Sequence, residues 1–294
     1  CSTDGVPYVI GSDRFIYHLD SNSDSFVKSE VKIPNSKEYL KQMHRYGSDS
    51  LYCFTNKGIY LIKDLALEKK IDTDIAFVSA TPEGNICYFA SNKTKDIFAF
   101  DMKTTQISLY AAIGKSVPDK EIYRALLPYK GNVLAGFSVS GVYIASPNSK
   151  TLTPTPIKQG IFPLLKDNRQ DIIWVGTDGN GVINWQMDDL SFEEIRFSKL
   201  PITVRMPIRS IMLDKTGTLW CGTKGDGIFT IRGLSPYMHL NDRNVKKFTT
   251  SNSALTSNHV YSISEAHKGS GIWIGSDGPG INFYSYSGKK IHSV

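Results

Sequence analysis

One short phrase occurs three times in the chain and limits what it can become. It reads Ile173-Trp174-Val175-Gly176-Thr177-Asp178-Gly179-Asn180-Gly181-Val182-Ile183, then Leu219-Trp220-Cys221-Gly222-Thr223-Lys224-Gly225-Asp226-Gly227-Ile228-Phe229, then Ile272-Trp273-Ile274-Gly275-Ser276-Asp277-Gly278-Pro279-Gly280-Ile281-Asn282. Each copy is an apolar run, a glycine-rich turn and a second apolar run. Two short strands joined by a tight turn are the physical reading, because glycine supplies the positive φ such turns require. One G-x-x-G-x-G would be an ordinary hairpin, too common to mark a phosphate loop. Three at similar spacing demand a repeat architecture.

Weaker copies fill the rest of the chain. Val9-Ile10-Gly11-Ser12-Asp13 with Phe15-Ile16-Tyr17 is the first, and Leu51-Tyr52-Cys53-Phe54 with Gly58-Ile59-Tyr60-Leu61 the second. Ile86 to Ser91 with Ile97 to Phe100 is a third, and Val133 to Phe137 with Gly141 to Ile144 a fourth. The tryptophan-equivalent positions are then 9, 52, 87, 134, 174, 220 and 273. Seven units in 294 residues average 42 each, the period of a four-stranded propeller blade. Before each phrase lies a short strand such as Arg209 to Leu213, and after it a more polar run such as Phe192 to Phe197. Labelled A to D in order, A is expected innermost and D the solvated edge, whose charges discourage edge pairing. The expected fold is all-β: residues 1–294 as a single seven-bladed β-propeller of four-stranded antiparallel blades, with no amphipathic helix.

Composition narrows the class. Charged residues are 21% and hydrophobic residues 40%, which fits a globular protein rather than a disordered one. No stretch approaches 18 consecutive apolar residues, so no direct membrane insertion is expected. Residues 1–5 lack the segments of a signal peptide, as in a mature or trimmed chain. The net charge of +6 is dispersed over isolated pairs such as Lys69-Lys70, Lys246-Lys247 and Lys289-Lys290, which read as solvated faces. No nucleic-acid partner is expected.

Chemistry-bearing patterns are scarce. The histidines at 18, 44, 239, 259, 267 and 292 form no H-x-x-x-H or H-x-H pair, so no metal site is expected. No G-x-S-x-G elbow marks a nucleophile, so no catalytic residue is nominated, and no cofactor is expected. Asp178-Gly179-Asn180-Gly181 lacks the sixth-position glycine and twelfth-position glutamate of a calcium loop and reads as a plain turn. Asp214-Lys215-Thr216-Gly217-Thr218-Leu219-Trp220 is like the Asp-box turns of sialidase propellers, with different spacing. The repeated tryptophans fit inter-blade core better than carbohydrate platforms, because packing must recur in every blade and a ligand site need not. Cys53 and Cys221 follow the tryptophan-equivalent residue and Cys87 occupies that position, in different blades, so free and mostly buried thiols are expected.

Strand A ending in Asp, a glycine turn, then [IL]-W-[VIC]-G-[TS]-x-G-x-G-[IV] resembles the two-component regulator propeller repeat. The lead-in Leu255-Thr256-Ser257-Asn258-His259-Val260 is similar to that repeat as well. The resemblance implies the periplasmic sensor half of a hybrid two-component histidine kinase, many of which detect oligosaccharides. On that reading the domain is an extracytoplasmic ligand-sensing propeller, contributing to oligosaccharide recognition and signal transduction, and not itself an enzyme. Its partners would be an oligosaccharide, the rest of the same sensor chain and a second copy in a full-length homodimer. Kinase activity would lie outside this stretch. The alternatives are a propeller enzyme acting on polysaccharide, as lyase or glycosidase, or an envelope scaffold that binds a partner; the fold hosts all of these.

Topology nominates a binding face. Meander strands alternate direction, so B–C turns and D–A connections emerge together. That gathers Asp178, Asn180, Lys224, Asp226 and Asp277 from turns, with Tyr123, Arg124, Arg205, Arg209, Asn258 and His259 from the starts of strands A. Mixed charges beside aromatics suit a polar ligand such as a sugar or an acidic sugar. Arg205, Arg209 and His259 are expected near the mouth of the central channel. Ring closure is the last expectation: residues near 8 to 33 form a three-stranded blade without strand A, residues 289 to 294 complete the last blade, and the chain is a fragment of a longer protein.

Overall fold

The computed structural model describes residues 8–20, 25–33, 37–47, 49–73, 77–91, 93–186, 192–195, 204–233, 244–266 and 269–293. The protein is a seven-bladed β-propeller. Among the described residues its helical content is one 3₁₀ turn, Gly114–Ser116. β1 (Tyr8–Ile10), β2 (Phe15–Asp20) and β3 (Ser25–Lys32) form a three-stranded sheet. β4 (Leu40–Tyr46), β5 (Ser50–Thr55), β6 (Gly58–Lys63) and β7 (Ala66–Asp72) form the next, followed by β8 (Phe77–Glu83), β9 (Ile86–Ser91), β10 (Ile97–Asp101) and β11 (Gln106–Ala111). The fourth is β12 (Tyr123–Tyr129), β13 (Asn132–Phe137), β14 (Val142–Ala145) and β15 (Thr153–Pro154). The fifth comprises β16 (Ile161–Asp167), β17 (Ile172–Thr177), β18 (Val182–Gln186) and β19 (Phe192–Ile195). β20 (Ile208–Leu213), β21 (Leu219–Thr223), β22 (Ile228–Ile231) and β23 (Val245–Phe248) make the sixth. The seventh is β24 (Val260–Glu265), β25 (Gly271–Ser276), β26 (Asn282–Ser285) and β27 (Lys290–Ser293). Among the described residues the first blade has the three strands expected near residues 8 to 33. β27 pairs with β26, so residues 290–293 take the outermost place of the last blade.

The chain divides into two compact units, Cys1–Ala135 with Tyr143–Pro154, and Gly136–Val142 with Thr155–Val294. In the first, Cys53, Tyr60 and Ile62 pack on Ile16, Val31 and Ile33, while Tyr52 and Phe54 pack on Cys87, Phe89 and Phe100. In the second, Trp174 packs on Cys221, Phe229 and Ile231, and Trp220 on Ile272, Ile274 and Tyr284. Both units follow one rule: the tryptophan-equivalent side chain faces the following blade, and the residue after it faces the preceding one. This is the inter-blade core expected of Trp174 and Trp220.

Strand pairing corrects the repeat at two places. Trp174 pairs with Leu165 and Asn184 and stands three residues before Thr177, whose hydroxyl donates to the Gly181 carbonyl. Thr223 and Thr55 close their turns the same way on Gly227 and Gly58, three residues after Trp220 and Tyr52. Ser91 holds that place in the third blade, its Oγ accepting from the backbone of Lys93 and Thr94, which makes Tyr88 the equivalent rather than Cys87. Packing agrees, since Cys87 and Phe89 face the preceding blade with Tyr52. In the first blade Ile10 opposite Ile16 matches Gly176 opposite Val182, so the equivalent is Tyr8, not Val9. A slip of one residue moves a side chain to the other face of a strand. Here that exchanges one blade–blade contact for another.

Cys53, Cys87 and Cys221 are free and buried. Burial pushes the Cys87 thiol up to about 12 and the other two higher still, so each stays protonated at neutral pH. Because the thiolate is the reactive form, none should label with a maleimide in the native protein, and all three should after denaturation. Fast native labelling of Cys53 or Cys221 would contradict this packing.

Candidate functional site

In the unit holding residues 155–294, the turn between strands B and C is built by hydroxyls and backbone. Gly179 and Gly181 take φ of 90° and 88°, and Thr177 Oγ1 accepts from the Asn180 N–H at 3.0 Å, a plain turn. The residue after the threonine ties back to the start of its own strand A. Asp178 N–H donates to the Gly160 carbonyl (3.0 Å), Lys224 N–H to Pro207 (3.0 Å) and Asp277 N–H to His259 (3.2 Å). B–C turns and strand-A lead-ins therefore lie together in this unit, as the meander requires.

Most of the nominated polar groups serve this architecture. Asp226 accepts from the backbone N–H groups of Arg205 (2.8 Å) and Met206 (3.0 Å) and pairs with Lys247 at 3.4 Å. Asn258 offers its carbonyl to both Gly225 and Gly227 and its side-chain oxygen to Thr250 N–H. Asp277 accepts a short hydrogen bond from Ser257, and its other oxygen lies 3.9 Å from His259 Nδ1. His259 forms an isolated bridge with Lys224. Asn180 Nδ2 donates to Gln159 Oε1 at 3.1 Å.

The side chains of Asp178, Asn180, Lys224, Arg205 and Asp277 are exposed. Arg209 is half-buried, its guanidinium 3.9 Å from the Phe162 ring centre, within cation–π range. Of the two candidates in the other unit, Arg124 is exposed, whereas Tyr123 is 1% exposed and donates its hydroxyl to the Lys95 carbonyl at 2.7 Å. Burial raises the Tyr123 hydroxyl pKa well above the usual phenol value. Tyr123 is a packing residue.

Strand pairing sets the nominated Arg209 in line with two residues that were not nominated, Phe162 and Tyr261. Pairing skips within each strand A just after its first residue: between Ile161 and Leu164, Ile208 and Ser210, and Val260 and Ser262. The residue after the first paired one is Phe162 (with Pro163 following it in the gap), Arg209 and Tyr261 in successive blades, and Tyr261 is 48% exposed. Bulges re-aim side chains in this way. The result is a cation over one aromatic ring, with an open tyrosine at the equivalent place in the next blade. Lining up the first residue of each strand A is the signal that would have found the set.

A model of the two-component regulator propeller matches residues 254–278. No curated protein matches the sequence. Among solved structures, the extracellular domain of BT4673 from B. thetaiotaomicron, described in one case as a candidate one-component system and in another as a candidate hybrid two-component system, superposes with TM-score 0.72 at 17% identity. The match covers 96% of this chain and 37% or 36% of that domain, so the chain spans little more than a third of it. The extracellular domain of the candidate hybrid two-component system BT3049 from the same organism gives 0.50 at 16% identity, over 99% of this chain and 44% of that one. The computationally designed Ika8 protein gives 0.61 at 9% identity, over 98% and 83%. That a computationally designed protein superposes on this chain at 9% identity makes plain that these likenesses concern the fold. The family match thus falls on one segment of the seventh blade, residues 254–278, which is similar to a two-component regulator propeller repeat and is set in a seven-bladed propeller.

Proposed function

We propose that this propeller is an extracytoplasmic, periplasmic ligand-sensing domain of a hybrid two-component histidine kinase, and that it contributes to oligosaccharide recognition and signal transduction. It acts by binding and not by catalysis. The rest of the sensor chain, with its kinase and a second copy, would carry the signal onward. The observation that supports this reading is Arg209 held over Phe162 at 3.9 Å, with exposed Tyr261 at the equivalent position of the next blade. Aromatic faces stack on the apolar side of a sugar ring, and a fixed guanidinium pairs with a hydroxyl or carboxylate. The surrounding turns are held by hydroxyl and backbone hydrogen bonds, and such preorganisation lowers the entropic cost of binding.

A panel of polysaccharide-derived oligosaccharides tests the proposal by calorimetry, with product release followed in parallel. Binding without product is the expected result. Arg209→Ala and Tyr261→Ala should each weaken it by about tenfold or more, the worth of a charge-assisted hydrogen bond or a stacked ring. Release of shortened sugar would favour a lyase or glycosidase instead. Full binding by both variants would remove this face from the site.

A further inference from the structure

We infer that the unit comprising residues 1–135 and 143–154 carries a separate cleft for an anionic oligosaccharide, one bearing sulfate or carboxylate groups. The cleft has a volume of about 890 Å³ and is lined by Lys93, Lys95, Lys115 and Lys150, with Asp96 and Asp119. Four cations face two carboxylates, an excess of two positive charges at one place. These lysines come from three separate segments: the β9–β10 turn, the connection into β12 and the β14–β15 loop. A volume of this size suits a ligand of several sugar rings, and its open form suits a chain passing through.

The floor of the cleft is braced. Ser91 Oγ accepts from the Lys93 and Thr94 N–H groups at 3.1 Å each, and Lys95 N–H donates to the Ser91 carbonyl at 2.8 Å. Lys95 sits at φ 63° and donates through Nζ to the Glu121 carbonyl at 2.7 Å, while its own carbonyl accepts from Tyr123. Asp96 accepts from Gly114 N–H at 2.8 Å, and a Cβ at Gly114 would lie 2.0 Å from the Thr94 carbonyl oxygen. Two loops are thus tied together by the side chains of Lys95 and Asp96, at a close approach of Gly114 to the Thr94 carbonyl.

Lys93, Lys115 and Lys150 differ from these. Each is exposed, and among the described residues none makes a side-chain hydrogen bond or ion pair. Three ammonium groups gathered at one place repel one another, and Asp119, the lining carboxylate not used as a brace, offsets only one of their charges. A ligand carrying spaced negative charges relieves that repulsion, and lysine acts toward such groups as a point charge. This inference rests on the proposed sugar-binding function and adds a ligand class and a second place of contact.

The test titrates the whole chain with a heparin-derived hexasaccharide, an oligogalacturonate and neutral maltohexaose, at low and high salt. At least one acidic oligosaccharide should bind in a salt-sensitive manner, and which one binds tells sulfate from carboxylate recognition. The triple variant Lys93→Gln, Lys115→Gln, Lys150→Gln should weaken that binding by about tenfold. The corresponding triple arginine variant should retain it, and both should keep the wild-type melting temperature. An unchanged affinity in the glutamine variant overturns the inference, as does an equal loss in the arginine variant or the failure of both acidic probes. If Arg209→Ala abolishes sugar binding while the glutamine triple leaves it intact, the general reading stands and this cleft fails. The opposite pattern keeps the cleft and removes the Arg209 face.

Discussion

Trp220→Ala should lower the unfolding free energy by about 3–5 kcal/mol, among the largest effects available to a single substitution in this fold. Trp220 is 1% exposed, stacks parallel to Phe248 at 6.1 Å and meets Tyr284 edge-on at 4.8 Å. Removing the indole opens a cavity between the sixth and seventh blades. It also strips a donor from the buried Asp214 carboxylate, which Trp220 Nε1 reaches at 2.8 Å. A fall in melting temperature of about 10 °C would accompany the loss. Trp273 is the built-in comparison, because it holds the same repeat position in the last blade yet is only half-buried and packs on Phe283 at 4.6 Å. Trp273→Ala should therefore cost less, about 1–2 kcal/mol. Equal losses at the two positions would show that the indole serves its own blade rather than the contact with the next.

That contrast indicates what the sequence can carry. The turn chemistry is local, so Thr177, Gly179 and Gly181 announce a hairpin wherever they recur, and the number and order of blades follow. Register is harder where a strand is buried on both faces. In Ile86-Cys87-Tyr88-Phe89-Ala90-Ser91 no alternation says whether Cys87 or Tyr88 faces the next blade. The serine that closes the turn was the usable marker. On the candidate face, Asp226, Asn258 and His259 could be placed near the turns because a meander requires it. That Asp226 and Asn258 brace the backbone could not be read, since the partners are main-chain groups of Arg205, Met206, Gly225 and Gly227. The bulges themselves have no motif, so Phe162, Arg209 and Tyr261 come into line only when the first residues of the strands A are set against one another. The four lysines of the cleft look dispersed because they span positions 93 to 150 and meet only through the folded loops.

Asp214→Asn should destabilise the protein by about 2–4 kcal/mol at neutral pH, by leaving buried donors facing an amide that can accept only through one atom. The carboxylate is 4% exposed and accepts from four groups: Thr216 N–H (2.9 Å), Thr216 Oγ1 (2.6 Å), Thr218 N–H (2.9 Å) and Trp220 Nε1 (2.8 Å). Burial alone would push its pKa up, but the donors from Thr216, Trp220 and Thr218 outweigh it and hold the pKa below the ordinary aspartate value. A depressed folded pKa contributes stability that is present above the unfolded value, about 3.9, and is lost as pH falls through the folded one. The gap between wild type and Asp214→Asn should accordingly be widest near neutrality and shrink on acidification below about pH 4.

The fifth blade supplies the control. Asp167 stands at the same place, but its oxygens are engaged by Arg169, at 3.0 Å from the backbone N–H, 3.1 Å from Nε and 3.3 Å from Nη2, while Trp174 Nε1 is buried with no hydrogen-bond partner among the described residues. Without the indole as a donor, Asp167→Asn loses fewer buried contacts. It should cost less than Asp214→Asn in paired urea titrations. A pH-independent gap at Asp214, or a larger loss at Asp167, would mean that the aspartate–indole bond is not what fixes the sixth blade's turn.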